Sequence, residues 1–340
     1  MENTGALLVN LGSPDSPHEQ DVRHYLNEFL MDANVIDMPW LVRRMIVSLF
    51  VLPKRPAQSA RAYASVWTEK GSPLISNSKD LHEEVQKLTS MPVELAMRYG
   101  RPDMESALVR LASKPEIKEV LLFPLYPHYA MSTVKTVVEK AEEIIKDYKL
   151  PVTLKVHPVF YNHDAYIEAL VESAKEYLEK DYDHIVFSYH GVPERHIRKD
   201  DCTGSHCLKS EDCCQKASPA HLTCYRHQVY RTTACFVEKA DIPVDKYSVA
   251  FQSKLGRDKW LEPATSSTIK SLAEQGIKKV LVICPAFVAD CLETLEEIGM
   301  EAKEDFIAAG GVSLELIPCL NSHPAWTKLV SQWLEKPLHN

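Results

Sequence analysis

Five cysteines lie within 23 positions of this chain, from Cys202 to Cys224, and thiols at this density can bind a metal. They follow the pattern C-x4-C-x5-C-C-x9-C. Zinc ribbons usually carry two C-x2-C pairs, which this pattern lacks, whereas a [2Fe–2S] cluster takes four thiolates at variable spacing. The spacing therefore favours a [2Fe–2S] cluster, with zinc as the second alternative and unbound thiols as the third.

A cluster with four ligands leaves one of the five cysteines spare. Cys213 and Cys214 are adjacent and therefore awkward as joint ligands, so one of them is the first candidate for the spare residue and Cys202 is the second. The full set is Cys202, Cys207, Cys213, Cys214 and Cys224. A mixed ligand set also stays open, because the same segment contains His206, His221 and His227.

His190 indicates a second kind of chemistry, since it ends the apolar run HIVFSYH and precedes a glycine. A neutral imidazole at the end of a strand can accept a proton near pH 7. The alternative is a core histidine bonded to a backbone carbonyl. The strand-end position favours the proton acceptor.

The segment CPAFVADCLETLEEIG predicts a helix start, with Asp290 at the N-cap and Glu293 at the third helical position of a capping box. Carboxylates then recur at helical spacing. Such a stripe is usually a solvated helix face, but beside a ligand site it would also be a path for hydrated cations. The stripe consists of Glu293, Glu296, Glu297 and Glu301.

The elements that would position these groups alternate between strand and helix. Amphipathic helices are predicted over 132–148 and 164–180. This alternation favours α/β layers with a mostly parallel sheet, in which ligands bind beyond the carboxyl ends of the strands. Short apolar runs predict strands over 6–11, 92–99, 117–126, 152–160, 184–190, 247–253, 278–287 and 312–318.

Composition excludes several classes of function. A net charge of −8 without a basic tract argues against nucleic-acid binding. The N-terminus lacks the features of a secretory signal and no apolar run approaches the roughly 20 residues of a membrane span, so we expect a cytoplasmic protein. No phosphate-binding glycine loop and no Gly-x-Ser-x-Gly elbow occurs, so neither nucleotide binding nor a serine nucleophile is expected.

Two further segments have an ordinary structural interpretation and a functional one. Trp260, in a loop rich in glycine and proline, is either a packing anchor or a platform for a flat aromatic ligand. The apolar segment 38–56, with Arg43, Arg44, Lys54 and Arg55, is either a core helix or an interfacial lip.

The motifs FSYHGVPERH, FQSKLGRDKWLEPAT, CPAFVADCLETLEEI, NLGSPDSP with VRHYLNEFL, and LFPLYPHYAMST together resemble the ferrochelatase family. The resemblance covers almost the whole chain and implies insertion of Fe²⁺ into protoporphyrin IX, the terminal step of haem biosynthesis. It also implies two similar Rossmann-like, doubly wound α/β domains with parallel sheets and an active-site cleft between them. In this family some members carry a [2Fe–2S] cluster, some bacterial ones in an insertion at this place.

The resemblance assigns roles to residues of this chain. His190 is the essential histidine, either a proton acceptor or an iron ligand, and Glu293 is the acidic residue opposite it. Segment 40–52 is the apolar lip through which porphyrin enters, and it predicts peripheral membrane contact at the inner face. Cys291 stands where many members have histidine. The residues expected to contact the macrocycle are Asn10, Leu11, Arg98, Tyr99, Tyr126, Ser188 and Trp260.

The predicted domain boundaries are 1–158 plus 320–340, with the lip at 38–56, and 159–319, with the cysteine-rich insert at 200–227. The predicted protein is a monomer or a homodimer. Two alternatives stay open: a chelatase for another tetrapyrrole or metal, such as coproporphyrin iron or cobalt, and an inactive haem or iron–sulfur sensor.

Overall fold

The computed structural model describes residues 3–254 and 258–338, and the chain divides into two α/β units. The first unit comprises Met1–Tyr126, Met131–Pro158 and Asn321–Asn340; the second comprises Pro127–Ala130 and Val159–Leu320. The predicted boundaries place 127–130 in the first domain instead. These residues group with the second unit because Phe160 N donates to Pro127 O (3.1 Å) and Tyr129 N donates to the Gln228 side chain (2.7 Å).

The first unit is a parallel four-stranded sheet flanked by helices. Its strands are β1 (Thr4–Ser13), β2 (Val93–Gly100), β3 (Glu119–Pro124) and β4 (Thr153–Val156), in the order β2-β1-β3-β4. Its helices are α1 (Glu19–Leu30), α2 (Trp40–Ile46), α3 (Arg55–Val66), α4 (Pro73–Leu88), α5 (Met104–Ala112), α6 (Thr136–Asp147) and, in chain order, α13 (Pro324–Glu335). π-Helical turns over Val47–Val51 and Met131–Lys135 adjoin α2 and α6.

The second unit repeats the same plan. Its strands are β5 (His184–His190), β6 (Tyr247–Gln252), β7 (Lys279–Ile283) and β8 (Ser313–Leu316), all parallel, in the order β6-β5-β7-β8. Its helices are α7 (Asp164–Leu178), α8 (Glu194–Lys199), α9 (Tyr225–Lys239), α10 (Thr265–Glu274), α11 (Leu292–Leu295) and α12 (Lys303–Ala308). A π-helical turn, Glu297–Ala302, joins α11 to α12, and 3₁₀ turns lie at Pro219–Leu222 and Val244–Lys246.

The hydrophobic sequence explains both sheets. The central strands β1 and β5 are covered on both faces, so they consist almost wholly of buried apolar residues, among them Leu7, Leu8, Val186 and Phe187. The predicted α/β class with parallel sheets is confirmed, and all eight predicted strands form. In the described part of the chain, no helix is both long and apolar enough to cross a bilayer.

Candidate active site and cysteine segment

His190 is the last residue of β5, and its ring is fixed by the adjacent peptide. Its Nδ1 lies 2.6 Å from Gly191 O; since a carbonyl oxygen only accepts, Nδ1 carries the proton and Nε2 carries the lone pair of the neutral ring. The rings of Trp260 and Phe287 each lie 6.4 Å from the imidazole, centroid to centroid. The basic nitrogen of His190 is therefore Nε2, and aromatic side chains lie near the ring.

Gly191 allows the close packing of this strand end. A Cβ at this position would stand 2.9 Å from Gln252 O and 3.1 Å from the Trp260 ring, so a side chain would displace backbone and indole. The Gly191 amide donates to the same Gln252 oxygen at 2.8 Å.

Gln252, at the end of β6 and paired with His190, links the strand ends to the acidic residues. Its Nε2 donates to Glu293 O at 2.7 Å and lies 3.4 Å from a Glu297 carboxylate oxygen. Its Oε1 accepts from Ser188 Oγ at 2.8 Å. Ser188, predicted as a ligand contact, is fully buried and also lies 2.9 Å from Thr265 Oγ1, so its position is that of a support for Gln252.

Glu297 is the carboxylate of the stripe that contacts Gln252 and Ser253 at the end of β6. Burial and, next, the charge of Glu293 raise the pKa of Glu297, although a hydrogen bond from Ser253 Oγ (2.5 Å) opposes the shift. Ser253 has φ +65°, a strained left-handed conformation for a non-glycine residue, at the point where its hydroxyl meets Glu297. The site therefore has two neighbouring carboxylates, one of which is protonated more readily than an ordinary glutamate.

The predicted capping box of Asp290 and Glu293 is wrong by one residue. The N-cap of α11 is Cys291, whose amide donates to Thr294 Oγ1 at 3.1 Å. Thr294 satisfies the cap because its hydroxyl also donates to Asp290 Oδ1 at 3.0 Å. The Glu293 carboxylate is therefore not used as a cap and instead contacts the Cys291 thiol, whose pKa is raised well above its ordinary value by burial and then by the charge of Glu293.

The first unit holds its predicted ligand-binding residues in a closed polar network. Arg98 Nη2 and Tyr99 OH lie 2.5 and 2.9 Å from Asp32 Oδ2, and Arg98 Nε donates to Thr136 Oγ1 at 2.8 Å. Tyr99 is buried and Arg98 nearly so. Both side chains are thus committed to internal bonds.

The Asn10 side chain also makes its hydrogen bonds within the protein, whereas the side chains of Leu11 and Tyr126 are available for other contacts. Asn10 Nδ2 donates to Ser78 Oγ at 3.1 Å and its Oδ1 accepts from Leu11 N at 2.8 Å. Leu11 is the half-exposed residue of β1. Within residues 3–254 and 258–338, the buried Tyr126 hydroxyl has no hydrogen-bond partner, and burial raises the pKa of Tyr126. These two residues can contact a large apolar ligand.

The cysteine segment is organised by Asp201 at its start. Asp201 Oδ2 accepts from the amides of His206 (2.9 Å) and Cys207 (2.8 Å), and Oδ1 accepts from Thr203 N and Oγ1. Although burial alone would raise it, the pKa of Asp201 is held well below its ordinary value by the hydrogen bonds from Thr203, Cys207 and His206. This carboxylate fixes the backbone that carries Cys207.

Cys224 is the centre of the thiol contacts. Its sulfur accepts hydrogen bonds from the thiols of Cys214 and Cys207; the bond from Cys214 lowers the pKa of Cys224 to about 6, against the effect of burial. Cys207, Cys213 and Cys224 are buried and Cys214 is half-buried, whereas Cys202 is exposed. Across the described ranges, no three or more His, Cys, Asp or Glu side chains are grouped as ligands of one metal ion.

The three histidines of the segment bond to backbone carbonyls. His206 Nε2 lies 2.7 Å from Cys213 O, and His227 Nδ1 lies 2.8 Å from Cys214 O. The rings of His221 and His227 stack at 3.6 Å. These contacts orient the peptide of Cys213 and Cys214.

The segment 38–56 contains an exposed apolar ridge on α2 and the following π-helical turn. Arg43 anchors it from inside, donating to Met38 O at 2.8 Å, and Val47 is fully buried. The exposed apolar side chains are Trp40, Leu41, Val42, Met45, Leu49 and Phe50, of which Leu41 is 74% and Phe50 70% exposed. Of the two interpretations of this segment, the core helix does not fit this face, which is an exposed apolar surface.

Sequence reasoning missed the central position of Gln252 and the contact that Tyr225 makes with His190. Gln252 carried a usable signal, because a buried amide ends an otherwise apolar strand. Tyr225 carried none, since its hydroxyl reaches His190 O (2.9 Å) across 35 positions of chain.

The family profile described as Ferrochelatase matches residues 3–338. The ferrochelatase of Pseudomonas fluorescens (strain Pf0-1) is 53% identical over 338 residues, covering 99% of this chain and 98% of the relative. The ferrochelatase of Stutzerimonas stutzeri (strain A1501) is 52% identical over 334 residues, covering 98% and 97%.

Among solved structures, SirB from Bacillus subtilis with Fe³⁺ matches with a TM-score of 0.56 at 11% identity, covering 98% of this chain and 95% of SirB. The sirohydrochlorin chelatase SirB from Bacillus subtilis subspecies spizizenii in complex with cobalt matches with a TM-score of 0.51 at 10% identity, covering 96% and 91%. At this identity the likeness establishes a shared fold.

Proposed function

Because the chain belongs to the ferrochelatase family, we propose that it inserts Fe²⁺ into protoporphyrin IX to give protohaem, with His190 as the proton acceptor. The observation that carries this proposal is the fixed His190 ring: its Nδ1–H is bonded to Gly191 O, which leaves the lone pair on Nε2, and the ring lies 6.4 Å from those of Trp260 and Phe287. Iron is a substrate in this reaction and leaves as part of the product.

The reaction exchanges two pyrrole protons for one ferrous ion, so the site must take up protons and admit a cation. Binding the ring in a bent form exposes the nitrogen lone pairs, a strain that contacts elsewhere on the macrocycle supply. His190 Nε2 accepts a proton as the metal enters. Glu293 and Glu297 offer negative charge to Fe²⁺ and, through the raised pKa of Glu297, a second proton acceptor.

The macrocycle contacts divide into direct and supporting residues. Leu11, Tyr126 and Trp260 offer apolar or aromatic surface, and the Tyr126 hydroxyl offers a hydrogen bond. Asn10, Arg98, Tyr99 and Ser188 act by holding the strand ends in shape, because their polar groups are already bonded within the protein.

The exposed ridge of α2 serves as a lip for the apolar substrate and as a peripheral contact with the inner face of the cytoplasmic membrane. Lys54 and Arg55 supply positive charge for anionic headgroups beside it. A double variant, Leu49→Ser with Phe50→Ser, is expected to lose flotation with anionic liposomes while an exposed apolar control, Val244→Ser, retains it. Wild-type protein that does not float would contradict the membrane contact.

The cysteine segment is proposed to hold a [2Fe–2S] cluster on Cys207, Cys213, Cys214 and Cys224. Cys207 and Cys214 each interact with the Cys224 sulfur, and the Cys213 sulfur lies 3.5 Å from Nη1 of Arg226, two residues after Cys224. A [2Fe–2S] cluster takes only two protein sulfurs at each iron, so adjacent Cys213 and Cys214 suit it better than they suit a single ion. The exposed Cys202 becomes the spare residue, which reverses the predicted order.

The cluster is tested by an absorption spectrum with iron and zinc analysis on protein purified without oxygen. Charge-transfer bands with about two non-haem irons per chain are expected. They should persist in Cys202→Ser and disappear in Cys213→Ser. A colourless protein with one zinc per chain would replace the cluster by a structural zinc ion.

The activity is tested by anaerobic incubation with Fe²⁺ and either protoporphyrin IX or coproporphyrin III, with Co²⁺ as a second metal. Protohaem formation is expected to be fastest with Fe²⁺ and protoporphyrin IX. Faster turnover of coproporphyrin or cobalt would assign the chain to the alternative substrate. Haem binding without any metal insertion would identify a sensor. The choice between monomer and homodimer stays a prediction.

A further inference from the structure

The cysteine segment is joined to the catalytic strand end by one helix. Cys224 is the N-cap of α9, with its sulfur accepting from the amide of His227 at 3.5 Å. The next residue, Tyr225, is buried and its hydroxyl donates to the backbone carbonyl of His190 at 2.9 Å. The residue directly after a cysteine of this segment therefore donates a hydrogen bond to the backbone of the proposed base.

A second hydrogen bond, about two turns further along α9, holds the same strand. Tyr189 OH and Thr233 Oγ1 are 2.8 Å apart, and both residues are buried. Tyr225 and Thr233 are eight positions apart and therefore lie on one face of the helix. The last two residues of β5 are consequently held from α9 at two points.

His128 fills the space between these two contacts. Its Nε2 lies 2.8 Å from Thr232 Oγ1, and its ring meets those of Tyr189 and Tyr225 edge-on at 5.6 and 5.8 Å. Burial lowers the pKa of His128 to about 3, so it stays neutral at physiological pH. The packing around Tyr225 is therefore dense and uncharged, and a movement of the helix start is transmitted to the strand end.

We infer that Tyr225 is a positioning residue for His190, and that the Cys224 N-cap holds Tyr225 in place by fixing the first turn of α9. The inference rests on the proposed function and adds a positioning connection to it. The His190 carbonyl and the Gly191 carbonyl belong to consecutive peptides, so fixing the first orients the second, which accepts from His190 Nδ1. Removal of the Cys224 sulfur takes away the cap of the N-terminal turn of α9, which carries Tyr225.

Tyr225→Phe removes the hydroxyl and keeps the ring that packs on His128. We expect kcat for protohaem formation to fall roughly three- to tenfold, the effect of one neutral hydrogen bond, with KM for protoporphyrin unchanged within about twofold. Hydrogen exchange at Gly191, whose amide bonds to Gln252 O, should accelerate. Tyr230→Phe is the matched control, since it removes the same group from the same helix on a side that contacts Arg226 and Phe251.

The connection to Cys224 is tested by a double-mutant cycle with Cys224→Ala, measured both as kcat and as Gly191 exchange. The Cys224→Ala effect should be present in wild type and largely absent in the Tyr225→Phe background. Additive effects, or a Tyr225→Phe variant that matches Tyr230→Phe, would overturn the inference. Thr233→Val provides a second variant on the same face and should show the same exchange pattern if Tyr225→Phe does not fold. Because exchange is measured without substrate, failure of the proposed activity would be seen separately.

Discussion

The two units have the same strand order, yet the polar groups at their strand ends are arranged differently. In the first unit, Asp32, Arg98, Tyr99 and Thr136 form a closed network in which each group has a partner within the protein. In the second, the bond from His190 Nδ1 to Gly191 O leaves the basic lone pair on Nε2, and Glu293 and Glu297 are neighbours of like charge.

This difference indicates that one α/β plan serves two purposes. Satisfied buried groups stabilise a shape, whereas a basic nitrogen beside neighbouring carboxylates can do chemistry. We therefore expect substitutions in the Asp32 network to lower stability and substitutions at His190 and Glu297 to lower turnover.

The largest effect is expected at His190. His190→Ala should lower protohaem formation by about 10³-fold, within the range for removal of a general acid or base. His184→Ala is the matched control, because His184 begins the strand that His190 ends and bonds to Ser248. A His184 effect on turnover as large as that of His190 would show that the strand, rather than its last residue, matters.

Asp32→Ala should lower the free energy of unfolding by about 3 kcal/mol, because it leaves Arg98 buried without its partner. Urea denaturation measures the change, and Asp80→Ala, which removes an exposed ion pair with Lys70, is the control. Equal stability of the two variants would contradict the structural role of the network.

Glu297→Gln should lower turnover roughly tenfold and flatten the acid side of the pH–rate profile. Because the pKa of Glu297 is raised, the wild-type carboxylate is lost on acidification at a higher pH than an ordinary glutamate. The free energy of unfolding changes with pH in the opposite direction to turnover. The folded state holds this proton more tightly than the unfolded state, so the stabilisation is present at low pH and is lost as pH rises through the raised pKa. Glu304→Gln, exposed on α12, is the control.

The smallest effect concerns Asp201. Its pKa is lowered, so its stabilisation is present above the ordinary value of about 3.9 and is lost as pH falls towards the folded value. Asp201→Asn should accelerate exchange of the His206 and Cys207 amides at neutral pH and remove this acid dependence. Asp212→Asn, an exposed aspartate of the same segment, should change neither.

The sequence predicted the fold well because apolar runs and strand ends are local signals. His190 and Glu293 were predicted as site residues in this way and through the family resemblance, and these roles stay predictions. The supporting network could not be predicted from the sequence. A serine at the end of a strand can face a ligand or support a neighbouring side chain, and only the burial of Ser188 against Gln252 shows which of the two it does. The predicted N-cap at Asp290 was wrong for a similar reason: Thr294 completes the cap at Cys291, and the Asp290 carboxylate accepts from the Thr294 hydroxyl instead.

The most direct test is a single-turnover experiment in which protoporphyrin IX is bound before Fe²⁺ is added, with wild type and His190→Ala compared by stopped-flow absorption. We predict that porphyrin binds both proteins with Kd values within about threefold and that metallation of the bound ring is slowed about 10³-fold in the variant. Equal metallation rates, with weaker porphyrin binding by the variant, would contradict the assignment of His190 as the proton acceptor.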